Sequence, residues 1–472
     1  MRVVKNYLYN AFYQIFVLLV PLITTPYLSR VLGPTGVGIN AYTNSIIQYF
    51  IIFGSVGVNL YGNRQIAYVR SNKEKMTDTF YEICTMRMVT VLLSYVAFLV
   101  FLSMTHRYHT YYFAQSLSII AAGFDISWFF MGVENFAVTV LRNFVVKLIT
   151  LICIFSFVKN QSDLVFYILI LSLSLLIGNL TLFPSLKRYI ERPTYKRHLH
   201  VWKHVVPSLL LFVPQIATQV YLVVNKTMLG SMVSVQSSGY FDQSDKIIKI
   251  TLAVVTATGT VMLPHVANAF ANGEYKKTKV YLYRSFSFVS MLSFPMFFGI
   301  MAVSSKFVPL FFTDQFNAVI PLMVIESVVI LLIAWSNVIG TQYLLPTKQT
   351  KTYTISVVLG AIVNIITNIP LIMVWGAVGA AVATVLSELV VTLYQLWSVR
   401  NQIEYQQLFE DNGKYLLSGL LMFIAVVFLD KFLPDTWLML FLEVLFGIIL
   451  YGLLLIIFRT KILERAFPLL KR

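Results

Sequence analysis

The stretch LRNFVVKLITLICIFSFV, residues 141–158, decides what kind of protein this chain is. Only 11 apolar residues follow Lys147, whereas a helix needs about 20 residues to cross a bilayer. A spanning helix must therefore draw Lys147 into the membrane, and Arg142 with it. A cation at that depth is costly unless it faces water, a counter-ion or a ligand. The alternative is that both side chains snorkel to the cytoplasmic interface.

The composition of the whole chain supports a membrane protein. Of 472 residues, 58% are hydrophobic and 12% are charged, with a mean hydropathy of +0.76. A soluble domain is about half apolar and a quarter charged, so we predict an all-α polytopic membrane protein. Cys84 and Cys153 exclude a disulfide scaffold and show no metal-ligand spacing. No cofactor motif is found, and the apolar N-terminal segment is predicted to be a retained span.

The apolar windows predict about fourteen transmembrane helices. They lie near 7–30, 38–62, 79–104, 110–131, 136–158, 163–186, 204–229, 239–270, 281–303, 317–345, 352–374, 376–398, 413–430 and 436–458.

The positive charges predict the orientation of these helices. With the N-terminus inside, the inner segments hold 24 of the 36 lysines and arginines. The outer segments hold Arg30, Arg107, Lys159, Lys306 and Lys431. We therefore expect both termini to be cytoplasmic, and the net charge of +16 gives no reason to infer a nucleic-acid partner. The basic loop LKRYIERPTYKRHLHVWKH, 186–204, would instead lie against anionic membrane lipids.

A basic stretch at 187–203 divides the predicted spans. It separates a six-helix lobe, 1–186, from a second six-helix lobe, 204–398, and two further spans follow at 413–458 before a basic tail at 459–472. The stretch HLHVWKH, 198–204, offers a His-x-His pattern. Its basic neighbours favour a solvated cytoplasmic loop over a metal site.

Several polar residues fall inside the predicted spans. Arg87 and Asp125 lie in the inner halves of spans three and four. Amide side chains recur at helical spacing in spans one and two, at Asn6, Asn10, Gln14, Asn40, Asn44 and Gln48. Amides facing lipid would be costly, so these stripes should face the interior. Two roles are open for them: hydrogen bonding between helices or lining a cavity.

A row of charges opens span eight. In YFDQSDKIIKI, 240–250, Asp242, Asp245, Lys246 and Lys249 share one helix face. They could form ordinary i, i+4 ion pairs at an outer helix tip. The threonine-rich residues that follow favour a wet face continuing through the protein, with Lys226 near it. Glu326, Glu388 and Glu443 in the second lobe are candidates for ion or proton coupling, or for hydrogen bonds between helices.

Six motifs together resemble the Wzx-type oligosaccharide flippases, in the polysaccharide transporter branch of the multidrug/oligosaccharidyl-lipid/polysaccharide exporter superfamily. They are KNYLYNAFYQIFVLLVPLITTPYLSRVLGPTGVGINAYTNS, NLYGNRQIA, WFFMGVENFAVTVLRNFVVK, NKTMLG, GYFDQSDKIIKI and GAVGAAVATVLSE. The resemblance covers nearly the whole chain, in order.

This resemblance implies a V-shaped bundle of two six-helix lobes with two extra C-terminal helices. The implied activity is moving an undecaprenyl-pyrophosphate-linked oligosaccharide across the bacterial cytoplasmic membrane by alternating access, without enzymatic chemistry. A polysaccharide polymerase and other envelope assembly proteins are the protein partners that such a role would bring. One departure concerns position 225, where many members carry an acid and this chain has Asn225, which puts a coupling role there in doubt.

The resemblance and the charges together predict a cationic lumen that binds substrate. Its residues would be Arg87, Arg142, Lys147, Lys226, Lys246 and Lys249, with Arg30 and Arg64 near the mouths. The predicted coupling residues are Asp125, Asp242, Asp245, Glu326 and Glu388.

Three other functions are open. They are a lipid II flippase, a drug/cation antiporter of the same superfamily, and a membrane polymerase or ligase of lipid-linked sugars. A cation antiporter should have an acidic or aromatic cavity, and a polymerase usually carries a large outer loop, which this chain lacks.

Overall fold

The computed structural model describes residues 2–191, 199–462 and 464. All regular structure in these ranges is helical, as predicted. The chain forms two compact units, divided between Ser231 and Met232. The boundaries 186 and 204 drawn from the basic stretch stay a prediction, because residues 192–198 of that stretch, like most of the basic tail, lie outside the described ranges.

Within the described residues, the first unit has nine α-helices and two short 3₁₀ helices, at Gln161–Asp163 and Val201–His204. The α-helices are α1 (Arg2–Ser55), α2 (Val58–Val69), α3 (Lys73–Met104), α4 (His109–Gly123), α5 (Ser127–Gly132), α6 (Phe136–Phe157), α7 (Leu164–Leu180), α8 (Phe183–Leu186) and α9 (Val205–Met232).

In the part of the second unit that the structure describes there are eight α-helices, a 3₁₀ helix at Asp314–Phe316 and a π-helix at Asn337–Leu344. The α-helices are α10 (Val235–Ala271), α11 (Tyr275–Phe311), α12 (Val319–Ser336), α13 (Thr350–Trp375), α14 (Ala377–Val399), α15 (Tyr405–Leu408), α16 (Asn412–Asp430) and α17 (Trp437–Ile457).

These elements confirm the predicted number of spans. Twelve helical segments in the described ranges are long and apolar enough to cross a membrane. The first of them, Leu19–Val69, contains a break at Gly33 and therefore counts as two. Helix α9, with 28 residues, supplies the fourteenth.

The break in α1 lies at Gly33, where φ is 63°. Glycine tolerates this left-handed conformation, and the residue before a proline avoids the α region, so the Gly33–Pro34 pair ends one span and starts the next. Pro21 and Pro26 also lie within α1 and keep helical backbone angles.

The core of the first unit forms around the WFF motif. Trp128, Phe129 and Phe130 are fully buried, and the Trp128 ring stacks on Phe80 of α3 with centroids 5.7 Å apart. A Cβ at Gly62 of α2 would lie 2.4 Å from the Trp128 ring, so only glycine allows α2 and α5 to approach this closely. This packing fixes α5 beside α2 and α3.

A buried polar cluster joins the start of α9 to α2 and α3. Glu82 of α3 is 2% exposed, and its carboxylate accepts from the His200 backbone N–H at 2.8 Å and from Lys203 Nζ at 2.8 Å. His204 Nε2 also lies 2.8 Å from Glu82, and its Nδ1 lies 2.7 Å from the Tyr61 hydroxyl. The prediction that 198–204 is a solvated loop is therefore wrong at His204, which is 4% exposed.

Within the second unit, an ion cluster joins α11 to the last two helices, α16 and α17. Lys306 of α11 is 2% exposed and lies 2.7 Å from Asp430 at the end of α16. It also contacts Glu443 of α17, which is fully buried. Assigning Lys306 to an outer loop is therefore wrong, and Glu443 serves as an interhelical ion-pair partner.

We expect Glu82→Ala to lower the free energy of unfolding by about 3 kcal/mol, because it leaves the Lys203 and His204 partners without their buried acceptor. Thermal unfolding of the purified protein in detergent measures the change. Glu74→Ala, at an exposed site in the first turn of the same helix, is the control. Equal stability of the two variants would contradict a structural role for this cluster.

Lys306→Met should also destabilise the protein by about 3 kcal/mol, since Glu443 would stay buried without a cation. The double variant Lys306→Met with Glu443→Leu should recover most of that loss, because apolar side chains of similar volume replace a buried ion pair at little cost. Unfolding measurements on both variants test this. No recovery in the double variant would show that the ion pair itself is required.

Candidate functional site

A cavity of about 630 Å³, lined by both polar and apolar side chains, lies within the first unit. Helices α1 to α7 contribute to its wall. Its charged lining residues are Arg87, Asp125 and Arg142, which gives the lining a net charge of +1. The polar uncharged residues of the lining are Gln48, Ser55, Asn59, Ser118, Ser127, Thr139, Asn143 and Asn179.

An interrupted helix forms one side of this cavity. The fourth span stops at Gly123 and resumes at Ser127, although the sequence predicts one continuous span over 110–131. Asp125 in the gap accepts a hydrogen bond from the Ser127 backbone N–H at 2.9 Å, and its own carbonyl accepts from Trp128 Nε1 at 3.1 Å. At the interruption the Ala121 and Ala122 carbonyls keep only i+3 bonds, from the Phe124 and Asp125 N–H groups at 3.2 and 3.4 Å, and each can accept a second donor.

Arg87 of α3 caps this interruption. Its Nε donates to the Ala122 carbonyl at 2.7 Å, its Nη1 donates to Asn59 at 2.6 Å, and its Nη2 lies 3.5 Å from the Asp125 carboxylate. The side chain is 2% exposed, so it does not snorkel to the membrane surface. Arg87 therefore lies in the wall as a fixed positive charge, with several of its donors already used.

Arg142 of α6 reaches the same interruption through Asn179. Its Nη1 donates to the Asn179 side-chain oxygen at 3.1 Å, and Asn179 Nδ2 donates to the Ala121 carbonyl at 2.7 Å. The side chain is half-buried. The structure thus brings together two of the predicted cations, and both are tied to the end of α4.

The amide side chains predicted in span two serve two different roles, lining the cavity and hydrogen bonding between helices. Gln48 lines the cavity, whereas Asn40 accepts a hydrogen bond from Gln115 of α4 at 3.2 Å. The side chains of Asn6, Asn10 and Gln14 lie outside the described part of the chain. Asn59, Asn143 and Asn179, which the sequence analysis does not single out, complete the polar wall.

The remaining predicted cations of the first unit lie away from this cavity. Arg30 and Arg64 are exposed, and Lys147 and Lys226 are half-buried. None of the four is among the lining residues described. Their assignment to a substrate lumen stays a prediction.

In the second unit the charges of α10 form the i, i+4 ion pairs that their spacing predicts. Lys246 lies 2.6 Å from Asp242 and Lys249 lies 2.7 Å from Asp245. Both lysines keep side-chain exposures of 39% and 45%. Whether these pairs also face substrate stays a prediction.

Glu326 and Glu388, two of the four acids predicted for coupling in this unit, are buried. Glu326 of α12 accepts a hydrogen bond from Ser244 of α10 and is 3% exposed, and Glu388 of α14 is 8% exposed. Over residues 2–191, 199–462 and 464, no group of three histidine, cysteine, aspartate or glutamate side chains could hold a metal ion. A coupling role for these acids stays a prediction.

Comparison with known proteins identifies relatives along most of the chain. It is 24% identical to the "Putative O-antigen transporter" of Escherichia coli K12 over 84% of this chain and 96% of that protein. It is also 24% identical to the "Probable low-salt glycan biosynthesis flippase Agl15" of Haloferax volcanii, over 60% of this chain and 59% of that protein. These relatives are named as a transporter and a flippase, not as enzymes.

Solved structures with the same fold belong to two kinds of exporter. "Lipid II flippase MurJ, inward closed conformation" superposes with a TM-score of 0.72 at 17% identity, covering 97% of this chain and 99% of that one. An inward-facing multidrug resistance MATE family transporter gives a TM-score of 0.63 at 10% identity, covering 83% and 98%. At these identities the likeness establishes the fold alone.

The family assignment comes from the sequence itself. The model of the family described as "Polysaccharide biosynthesis protein" matches residues 3–270, more than half of the 472 residues. This chain therefore belongs to the polysaccharide biosynthesis protein family, in agreement with its resemblance to the Wzx-type flippases.

Proposed function

We propose that this multi-pass membrane protein moves a lipid-linked oligosaccharide, an undecaprenyl-pyrophosphate-linked repeat unit, across the bacterial cytoplasmic membrane by alternating access. The product would serve cell-surface polysaccharide synthesis. The family supports the flippase class, the resemblance to the Wzx-type flippases implies the undecaprenyl-pyrophosphate-linked substrate, and the charge of the cavity supports an anionic ligand. Both termini would be cytoplasmic, as the distribution of lysine and arginine predicts.

The net positive charge of the cavity is the observation that carries this proposal. The charged residues of the lining are two arginines, Arg87 and Arg142, and one acid, Asp125. Positive charge within a membrane bundle favours an anionic ligand, and guanidinium groups are well suited to phosphate oxygens. Because Arg87 is committed to Ala122 and Asn59, we assign the direct phosphate contact to Arg142.

The rest of the lining suits a sugar. Four amide side chains and four hydroxyl side chains line the cavity, namely Gln48, Asn59, Asn143, Asn179, Ser55, Ser118, Ser127 and Thr139. Such groups donate to and accept from sugar hydroxyls. A cavity of about 630 Å³ lies in the usual range for small-molecule sites, so we assign it the diphosphate and the first sugar.

Lipid II transport is a second candidate function, since the lipid II flippase MurJ aligns over nearly the whole chain. A cavity for a diphosphate would serve either function, and the two differ in which cellular polymer fails when the protein is lost. A drug/cation antiporter is disfavoured by the net positive lining. A polymerase or ligase is disfavoured because the named relatives are transporters and flippases.

The other predicted residues extend this proposal. Lys147, Lys226, Lys246 and Lys249 would form the rest of the lumen, with Arg30 and Arg64 at its mouths. A polysaccharide polymerase and other envelope assembly proteins would be its protein partners.

Arg142→Ala should reduce surface polysaccharide by roughly tenfold, because it removes a charge-assisted hydrogen bond to the substrate phosphate. Arg142→Lys should retain part of the activity, since lysine keeps the charge but loses the planar donor pair. The measurement is surface polymer per cell, normalised to the amount of protein in the membrane. Lys159→Ala, at an exposed site just beyond the other end of α6, is the control. Normal polymer from Arg142→Ala would refute the phosphate assignment.

Asn143→Asp tests the charge of the cavity with almost no change in side-chain size. The added carboxylate would cancel the net +1 of the lining and should lower transport by roughly tenfold. Asn160→Asp, at an exposed cap position outside the cavity, makes the same chemical change and should have no effect. Undiminished polymer from Asn143→Asp would show that substrate does not respond to the charge of this cavity.

A further inference from the structure

A second cavity, of about 420 Å³, lies in the second unit and belongs to no site described above. It is formed where three connections meet: the turn between α10 and α11, the loop after the π-helix, and the segment after α14. Its lining residues are Phe270, Tyr275, Thr278, Lys279, Tyr343, Thr347, Gln349 and Gln402.

The position of this cavity follows from the topology. Two spans separate the first connection from the second, and two more separate the second from the third. All three connections therefore lie at the same membrane surface. The distribution of lysine and arginine predicts that this surface is cytoplasmic. The cavity is thus placed at the depth of lipid headgroups.

A rigid layer of amides and hydroxyls forms one wall. Gln349 and Gln402 exchange hydrogen bonds of 2.9 and 3.0 Å, the Tyr343 hydroxyl donates to Gln402 at 3.2 Å, and Gln349 Nε2 donates to Thr347 at 2.8 Å. By the donor and acceptor inventory of these groups, Gln402 retains one N–H and Gln349 retains one acceptor site. These groups are held in place and can each meet a ligand hydroxyl.

Lys279 gives the cavity its charge. It is half-buried in the second turn of α11, and it makes no hydrogen bond or ion pair with the residues that the structure describes. The nearby acid Glu274 is paired with Lys277 at 2.9 Å, and the lining contains no carboxylate. The lining therefore carries one positive charge beside the amide layer. The Phe270 and Tyr275 rings, 5.6 Å apart, form the apolar side.

From this arrangement we propose that the cavity binds an anionic phosphate ester that also carries hydroxyl groups. Lys279 binds the phosphate, the Gln349–Gln402 layer binds the hydroxyls, and the aromatic rings contact the carbon skeleton. Both the glycerol phosphodiester headgroup of an anionic phospholipid and a soluble glycerol phosphate have this chemistry. Anionic lipids are abundant at the cytoplasmic surface. This site is separate from the proposed transport cavity, and its occupancy can be measured without any transport assay.

Thermal unfolding of the purified full chain in detergent tests the site, with phosphatidylglycerol, zwitterionic phosphatidylethanolamine and glycerol 3-phosphate as probes. We expect phosphatidylglycerol or glycerol 3-phosphate to raise the unfolding temperature, and phosphatidylethanolamine to have a much smaller effect. Lys279→Ala should weaken the binding of whichever probe stabilises the protein by roughly tenfold. Lys276→Ala, which removes an exposed lysine from the same helix, should not.

The two sources are distinguished by which probe acts. Stabilisation by phosphatidylglycerol alone identifies a lipid site, and equal or stronger stabilisation by glycerol 3-phosphate identifies a site for a soluble ester. Native mass spectrometry of Lys279→Gln, counting bound phosphatidylglycerol, provides an independent measurement if the alanine variant unfolds. Equal losses in the Lys276 and Lys279 variants, or no stabilisation by either phosphate ester, would overturn the proposal.

Discussion

The hydrogen bond from Arg87 to the Ala122 carbonyl is the interaction on which the candidate site depends. A guanidinium inside a membrane bundle must find acceptors, and an interrupted helix must find donors for its last carbonyls. At the end of α4 each requirement satisfies the other: Arg87 donates to Ala122 at 2.7 Å, and Asn179 donates to Ala121 at 2.7 Å. The interruption therefore supplies the acceptors that allow positive charge to remain in the first unit.

The transport cavity of the first unit differs in charge balance from the ion pairs of α10 and α11 in the second unit. In the first unit the cavity lining keeps a net positive charge. In the second unit the charges of α10 are neutralised by pairs within one helix, and Lys306 is neutralised by acids of the C-terminal helices. A structural ion pair needs balanced charge, whereas a site for an anion needs an excess of positive charge. This contrast is why we place the phosphate of the transported substrate in the first unit, apart from the separate surface cavity at Lys279.

Much of the fold could be predicted from the sequence, because span number and helical class depend on the length and hydropathy of local segments. The partial burial of Arg142 could be predicted for the same reason, since too few apolar residues follow Lys147 to form a span without drawing both cations in. The interruption at 124–126 could not be predicted, because the apolar residues on both sides of Asp125 and Ser127 make the segment resemble one continuous span. The roles of Asn59, Asn179 and Lys306 depend on which helices are neighbours, and spacing within one helix does not contain that information.

Charge-selective cysteine labelling tests the central claim, that the two arginines face a water-filled cavity, most directly. In a background without Cys84 and Cys153, a cysteine at Val140 in the cavity lining is compared with one at Leu141, which is 66% exposed on the outside of the bundle. We predict that membrane-impermeant thiol reagents label position 140 and not 141. An anionic reagent should be favoured over its cationic counterpart at 140, relative to an exposed cysteine at Asn160. Protection of position 140 from both reagents, or a preference there for the cationic one, would contradict the account.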